Sequence, residues 1–485
     1  MKPKTLGILA ALVLLLGAFI WLVERDLPGT EERAEQAKKV LGGVERTDIE
    51  AVTLSVDDRQ VRLERVGESS EEQGADEGEE EDGAGASWRL TAPLEAPADD
   101  AAVDRLLLTL GRLEKQTTVE DPDRGDLGLE PPEATVTVTA SGREQTLQVG
   151  VEIPVAGGRV VSLEGSDEVW VTEGELWDEI HQAPDTWRSK EAVPWSAADI
   201  VRLRLSGEGR EVPVEILREE VEEGSGARFR LVSPMADVAD RQTVQDLTSR
   251  LATLRAEGFL DDVGEVPEDV DPASPRFVAE LFDDRGEAAE PYRLEMIAPL
   301  EPSGSRWLVR AGGQLLEAEA PELVELLDRP APAWRSHLAT DLQIFELDRV
   351  RVEQEGRDEI VLARVEGDWV RDGEALAYEP VRELLMRLIT ARAVEVEPTA
   401  EPPAGEPRLV FHVEPNVEGL PTETVSVYED EAAGVPVEVK PRGVVLRFEV
   451  DVIEGIETAI QGVRDAEPLD QGGAEPARVP EGDPG

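Results

Sequence analysis

The chain has 485 residues, too many for one ordinary core, so length alone predicts about three domains. Its 106 Asp and Glu against 49 Lys and Arg give a formal net charge of -57, which disfavours nucleic-acid phosphates and anionic headgroups as partners through a general basic field. The lack of cysteine excludes disulfides, thiolate nucleophiles and Cys-ligated metals. An aromatic content of 4% leaves the cores to Val, Leu, Ala and Ile.

Residues 1–5 carry Lys2 and Lys4, and residues 6–23, LGILAALVLLLGAFIWLV, carry no charge. As a helix this run reaches roughly 27 Å, the span of a bilayer's hydrocarbon layer. The lysines before it favour a cytoplasmic N-terminus. The run ends Phe19-Ile20-Trp21-Leu22-Val23 without a small-x-small cleavage pattern, so the reading is an uncleaved transmembrane anchor rather than a signal peptide. Residues 24–46 follow as a juxtamembrane segment, and the bulk of a single-pass protein is placed outside the cytoplasm.

Beyond the anchor the chain repeats itself. SWRLTAPLEAPADDAAVDRLLLTLGRL at 87–113 matches RFRLVSPMADVADRQTVQDLTSRLATL at 228–254, and Trp88, Phe229 and Trp369 stand 141 and 140 residues apart. Pro93 and Pro234 keep the same register, as do Asp99 and Asp240, each four residues before Val103 or Val244, where a helix N-cap belongs. Apolar steps of three and four then predict one buried stripe on each of three helices: Val103, Leu106, Leu107, Leu110; Val244, Leu247, Leu251; and Val381, Leu384, Leu385, Leu388. Upstream of each aromatic, alternation such as Val52, Leu54, Val56 predicts half-buried strands, and Glu366-Gly367 before Asp368-Trp369 predicts a hairpin turn.

Short strands follow in each repeat, and a second helix in the first two, at Glu175–His181 and Pro321–Leu327. The predicted fold class is α+β: an N-terminal transmembrane helix, then tandem mixed α/β repeat units of antiparallel sheets with packed helices. Unit 1 spans 47–193, unit 2 spans 194–340, and unit 3, expected to be divergent because terminal repeats often are, spans 341–464. An acidic insertion at 66–87, with nine acidic residues between 68 and 82, reads as a solvated hairpin tip, and 465–485 as a disordered acidic tail.

Trp187-Arg188-Ser189 and Trp334-Arg335-Ser336 recur at the unit boundaries, 147 residues apart. These Trp and Arg residues are candidates for inter-unit packing or interaction, the Arg pairing with a neighbouring carboxylate. No catalytic, cofactor-binding or metal-ligating set is found. His181, His337 and His412 fall at non-equivalent places without metal-ligand spacing, and no phosphate-binding loop or nucleophile elbow is present.

The ordered elements W-R-L-x-x-P, A-D-x-x-x-V-x-x-L-L-x-x-L and D-L-G-L-x-P-P, carried by Trp88, Leu90, Pro93, Ala98, Asp99, Val103, Leu106, Leu107, Leu110, Asp126, Leu127, Gly128, Leu129, Pro131 and Pro132, resemble the bacterial domain-of-unknown-function family 4340 (DUF4340-like, here repeated). Units 1 and 2 carry the resemblance well. Unit 3 departs from it, since Val370-Arg371-Asp372 follows Trp369 without the Leu or the Pro. The resemblance implies membership of a bacterial envelope protein group found beside ABC transporters of the gliding-motility kind, and with it an inner-membrane accessory or scaffold; with no motif for catalysis or a cofactor, and nucleic acid disfavoured by charge, the expected function is non-catalytic. The rival reading is an extracytoplasmic carbohydrate or cell-wall polymer binding module that stacks sugars on exposed tryptophans.

Overall fold

The computed structural model describes residues 35–42, 44–66, 87–153, 157–219, 227–261, 266–285, 290–398 and 402–469. The apolar run 6–23, the acidic stretch 68–82 and the tail from residue 470 lie outside them. Among the described residues no helix is long and apolar enough to cross a membrane. The chain divides into two compact units, Met1–Lys190 with one sheet and Glu191–Gly485 with two.

The first sheet shows how the sequence pattern becomes a layer. In β1 (Ile49–Val56) and β2 (Arg59–Arg65) the residues Val52, Leu54, Val61 and Leu63 face one side and are buried, as period-two alternation requires. β3 (Trp88–Ala92) and the short β4 (Ala96–Pro97) extend the sheet to one edge. Helix α1 (Asp100–Arg112) then carries the chain across the buried face to the opposite edge, where β5 (Thr117–Thr118) pairs with the last strand of the meander. That meander is β6 (Ala134–Ala140), β7 (Arg143–Ile153), β8 (Gly158–Leu163) and β9 (Trp170–Glu173). The nine strands lie in the order β4-β3-β2-β1-β6-β7-β8-β9-β5. Helix α2 (Glu175–Ile180) lies beside α1, and Trp88, Val103, Leu106, Leu107, Leu110 and Trp187 share one core with the inward strand residues.

The other two sheets repeat this order strand for strand. The third unit, divergent in sequence, keeps the same strand order. Its sheet is complete, including the strand Val435–Lys440, and its second helix, Val450–Asp465, is the longest of the three second helices. That helix buries Ile453, Ile456, Ile460 and Val463, a stripe of three- and four-residue steps, and the chain continues in order through Pro468, which bridges Leu376, so the start of the expected tail belongs to the fold. The predicted turn at Glu366-Gly367 is present, both residues having positive φ between paired Val365 and Asp368.

A few residues recur because the fold needs them. Trp88, Phe229 and Trp369 are buried in their own cores, each directly across from an arginine, Arg65, Arg218 or Arg364. Each of these arginines donates to a carbonyl ahead of its unit's first strand: Thr47 O at 2.7 Å, Ala198 O at 2.6 Å and Phe345 O at 3.3 Å. The Leu127-Gly128-Leu129 element covers the outer face of the first sheet, with Leu129 packed on Val160 and Val169. Gly128 holds φ +63, and a Cβ on Gly150 would stand 2.2 Å from Leu127 O, so the loop touches the sheet backbone to backbone.

Asp99 and Asp240 are the predicted caps, accepting from Ala102 N at 2.9 Å and Thr243 N at 3.0 Å. The third helix, Tyr378–Thr390, begins after Ala377 without a side-chain cap, and its third residue is Pro380, which has no N–H to satisfy. Asp99→Ala is expected to cost about 1 kcal/mol in urea unfolding, whereas Ala377→Asp should gain well under half of that, because the amide a cap serves in the other two helices is missing.

Candidate functional site

The compact unit Glu191–Gly485 holds the second and third sheets, and the joint between them gathers its most deeply buried charges. It starts from the linker after Trp334. Asp240 N donates to Trp334 O and Ser336 N to Val238 O, so the linker runs as an added strand along the edge strand Asp237–Val238 of the second sheet. Two residues on, Ala393 N donates to His337 O and Ala339 N to Ala391 O, which stitches the same linker to the third unit. Backbone pairing thus fixes both neighbours before any side chain is considered.

Side chains then close the joint. The Asp237 carboxylate, 1% exposed, lies between Arg335 Nε at 2.5 Å and Arg442 Nε at 2.6 Å. Arg442 also donates to Ser336 O at 2.6 Å, and Arg335 to Val396 O at 2.9 Å. Arg228 of the second sheet meets Glu346 of the third at 2.7 Å and faces Asp341 at 3.6 Å, while Arg241 donates to the Asp341 carbonyl at 2.8 Å. Arg392 reaches the helix cap Asp240 at 3.0 Å. Ions with several charge-assisted bonds each can stay buried, whereas a single unmatched one could not.

Arg228, Asp237, Asp341 and Arg442 border a cleft of about 470 Å³. Its polar lining is balanced, with Arg228, Arg230, Lys440 and Arg442 against Glu219, Asp237, Asp341 and Glu423, in a chain that carries more than twice as many acids as bases. Phe229, Leu338, Leu420 and Val439 supply apolar wall. Burial pushes the Glu423 carboxyl up to about 6 against a hydrogen bond from Thr340, with Asp341 adding to the rise and Arg228 and Arg442 opposing it. Burial also raises Asp341, although Arg241 and Arg228 pull the other way. At Asp237 burial is outweighed by the bonds and charges of Arg442 and Arg335, and at Asp240 by Thr243 and Arg392, so both lie below the usual carboxylate range.

The residues singled out by sequence separate in the structure. Trp187 lies in the core of the first sheet and Trp334 in the core of the second, at 1% and 0% exposure, so neither ring presents a surface. Arg335 enters the joint, and buried Arg188 pairs with Asp185 at 3.2 Å within its own unit. His181 stacks on Trp177, His337 Nδ1 meets Ala393 O, and His412 faces Glu353, three separate places. Among the described residues no group of three or more His, Cys, Asp or Glu could hold a metal ion. Sequence reasoning missed Arg228, Asp237, Asp341, Glu423 and Arg442. A signal existed for two of them: in the 141-residue register Arg228 replaces Ser87 and Asp237 replaces Ala96, ionic residues where the first copy has small neutral ones.

Two measurements test this ionic joint. Asp237→Ala leaves two guanidinium groups in the joint without their carboxylate and should cost about 3–5 kcal/mol in denaturant unfolding. The pH dependence has a definite sign: Glu423 and Asp341 are raised, so their cost is relieved as pH falls through the raised values, while Asp237 and Asp240 are lowered and their contribution is lost as pH falls below the ordinary range. Stability of this unit should therefore peak between about pH 4 and 6, and Glu423→Gln should remove a rise on the order of 1 kcal/mol between about pH 7 and 5.

No curated protein and no solved structure matches the chain. Residues 88–275, from the aromatic strand of the first sheet to just before the strand Phe277–Phe282 of the second, match the family model described as Domain of unknown function (DUF4340), and across that stretch the chain is DUF4340-like.

Proposed function

We propose that this chain is a membrane-anchored, extracytoplasmic and non-catalytic scaffold of the bacterial cell envelope, an accessory to an ABC transporter of the gliding kind. The observation that carries the reading is the use made of the buried charges. Arg228, Asp237, Arg335, Asp341 and Arg442 hold one repeat to the next through backbone carbonyls and paired ions. Charges so engaged suit a part that keeps a fixed spacing between its modules. The uncharged run 6–23 supplies the anchor in this reading, and the net charge of -57 fits a partner with basic surfaces.

The rival reading, a binder of carbohydrate or wall polymer, depends on exposed aromatic rings. Trp187 and Trp334 are both buried and offer no stacking platform at the unit boundaries. The scaffold reading is tested by affinity capture of the full chain through a C-terminal tag in mild detergent. Permease and ATPase subunits should be recovered with it in stoichiometric amounts, and recovery of the protein alone would count against the assignment.

A further inference from the structure

We propose that the third unit's counterpart of the face by which the second unit holds it is a docking surface for a different protein, one that presents Lys or Arg among apolar residues. The proposal rests on the scaffold reading, for which it names the place and the chemistry of a partner. Because the strand order repeats, each residue of the joint has a counterpart one unit on. Arg218 faces Phe229 and Glu219 faces Arg228 across one strand pair, as Arg364 faces Trp369 and Val365 faces Asp368 across the other. Leu231 pairs with Asp237 as Arg371 does with Glu374. Arg241 and Tyr378 each begin the long helix, and Ser336 N donates to Val238 O as Leu469 N does to Ala375 O. The counterparts of Glu219, Arg228, Asp237, Arg241 and Ser336 are therefore Val365, Asp368, Glu374, Tyr378 and Leu469.

In the second unit these positions belong to the joint: Glu219, Arg228, Asp237 and Ser336 line its cleft, and Arg241 bonds Asp341. In the third unit all five counterparts are exposed, Val365 at 51% and Tyr378 and Leu469 at 53%. A repeat that only closes an array carries a polar outer face. Here the exchange runs the other way, since Glu219, Arg241 and Ser336 of a covered face give place to Val, Tyr and Leu on a bare one. Large apolar residues held on a charged surface in this way mark a contact. Charge then selects the partner. The two arginines that meet acids across the joint, Arg228 and Arg241, have no cationic counterpart, and Asp368 and Glu374 leave the bare face negative. A further unit made like the third would bring Asp341 and Glu346 against Asp368, where the second unit has Arg228, so a second copy fits poorly and a cationic surface fits well.

The test is site-specific photocrosslinking of the full-length chain in the cells that produce it, with benzoylphenylalanine in place of Tyr378, of Val365 or, as a control on the second unit, of Val212, which is 50% exposed. Tyr378 and Val365 should give an adduct with one and the same other protein, through a segment that carries Lys or Arg among apolar residues, and Val212 should not. With that protein purified, Tyr378→Ser should weaken its binding about tenfold or more. Asp368→Arg should weaken it several-fold and flatten its salt dependence, and neither substitution should move the thermal melt. Adducts only within the chain itself, with a second copy or with an acidic segment overturn the proposal, as do adducts equally abundant at Val212 and the absence of any adduct. The two readings fail separately: a docked protein that belongs to no transporter overturns the scaffold reading alone, and transporter subunits captured without an adduct at Tyr378 overturn only this docking surface.

Discussion

A nine-stranded antiparallel sheet has one broad face to bury, and here a helix that crosses from edge to edge covers it together with a second helix, which in the third unit is the longer of the two. Much of each repeat follows from that crossing. The chain must leave the sheet at β4, run the width of the layer and re-enter at β5, so the helix needs a firm start and an apolar stripe along its length. Asp99 and Asp240 give the start by accepting the third helical amide. Val103 to Leu110 and Val244 to Leu251 give the stripe. The aromatic of the neighbouring strand fills the space beneath the helix, and the arginine across from it ties the first strand's entrance to the sheet.

The joint between the second and third sheets is solved differently. It is closed by backbone pairing on both sides of a short linker and then by guanidinium–carboxylate contacts, in place of a continuous apolar seam. Ions at such a depth stabilise little relative to apolar packing, but they are intolerant of a misplaced partner, so they set register more than they add stability. The same choice couples the joint to protons: carboxyls raised by burial and carboxyls lowered by arginines lie in one joint, so protonation acts in opposite senses on the two kinds.

Composition and local geometry are linked through the same region. A chain with a large acidic excess places four of its cations around one cleft, where they meet four acids in near balance. Elsewhere among the described residues most acids lie on the exposed surface or in exposed pairs worth little individually, with buried Glu295, held by Arg293 and Arg310, an exception. In the joint Asp237, Asp240, Asp341 and Glu346 each meet at least one arginine.

The sequence by itself determined the repeat, the position of each long helix and of most strands, the capping aspartates, the buried aromatics and the α+β class, because these depend on period, turn chemistry and propensity within a few residues. It did not reveal that the third unit, altered after Trp369, keeps the strand order, and it overlooked the helix Val450–Asp465 whose stripe was present. Pro380 explains why a cap could vanish there without loss of the fold. What only the tertiary structure decided is the pairing of residues far apart in the chain. Asp237 and Arg442 stand 205 positions apart, and Arg228 and Glu346 stand 118 apart. In a chain with 106 acids no local pattern marks which carboxylates will be buried, and only the meeting of two sheets removes the water that makes those few different from the rest.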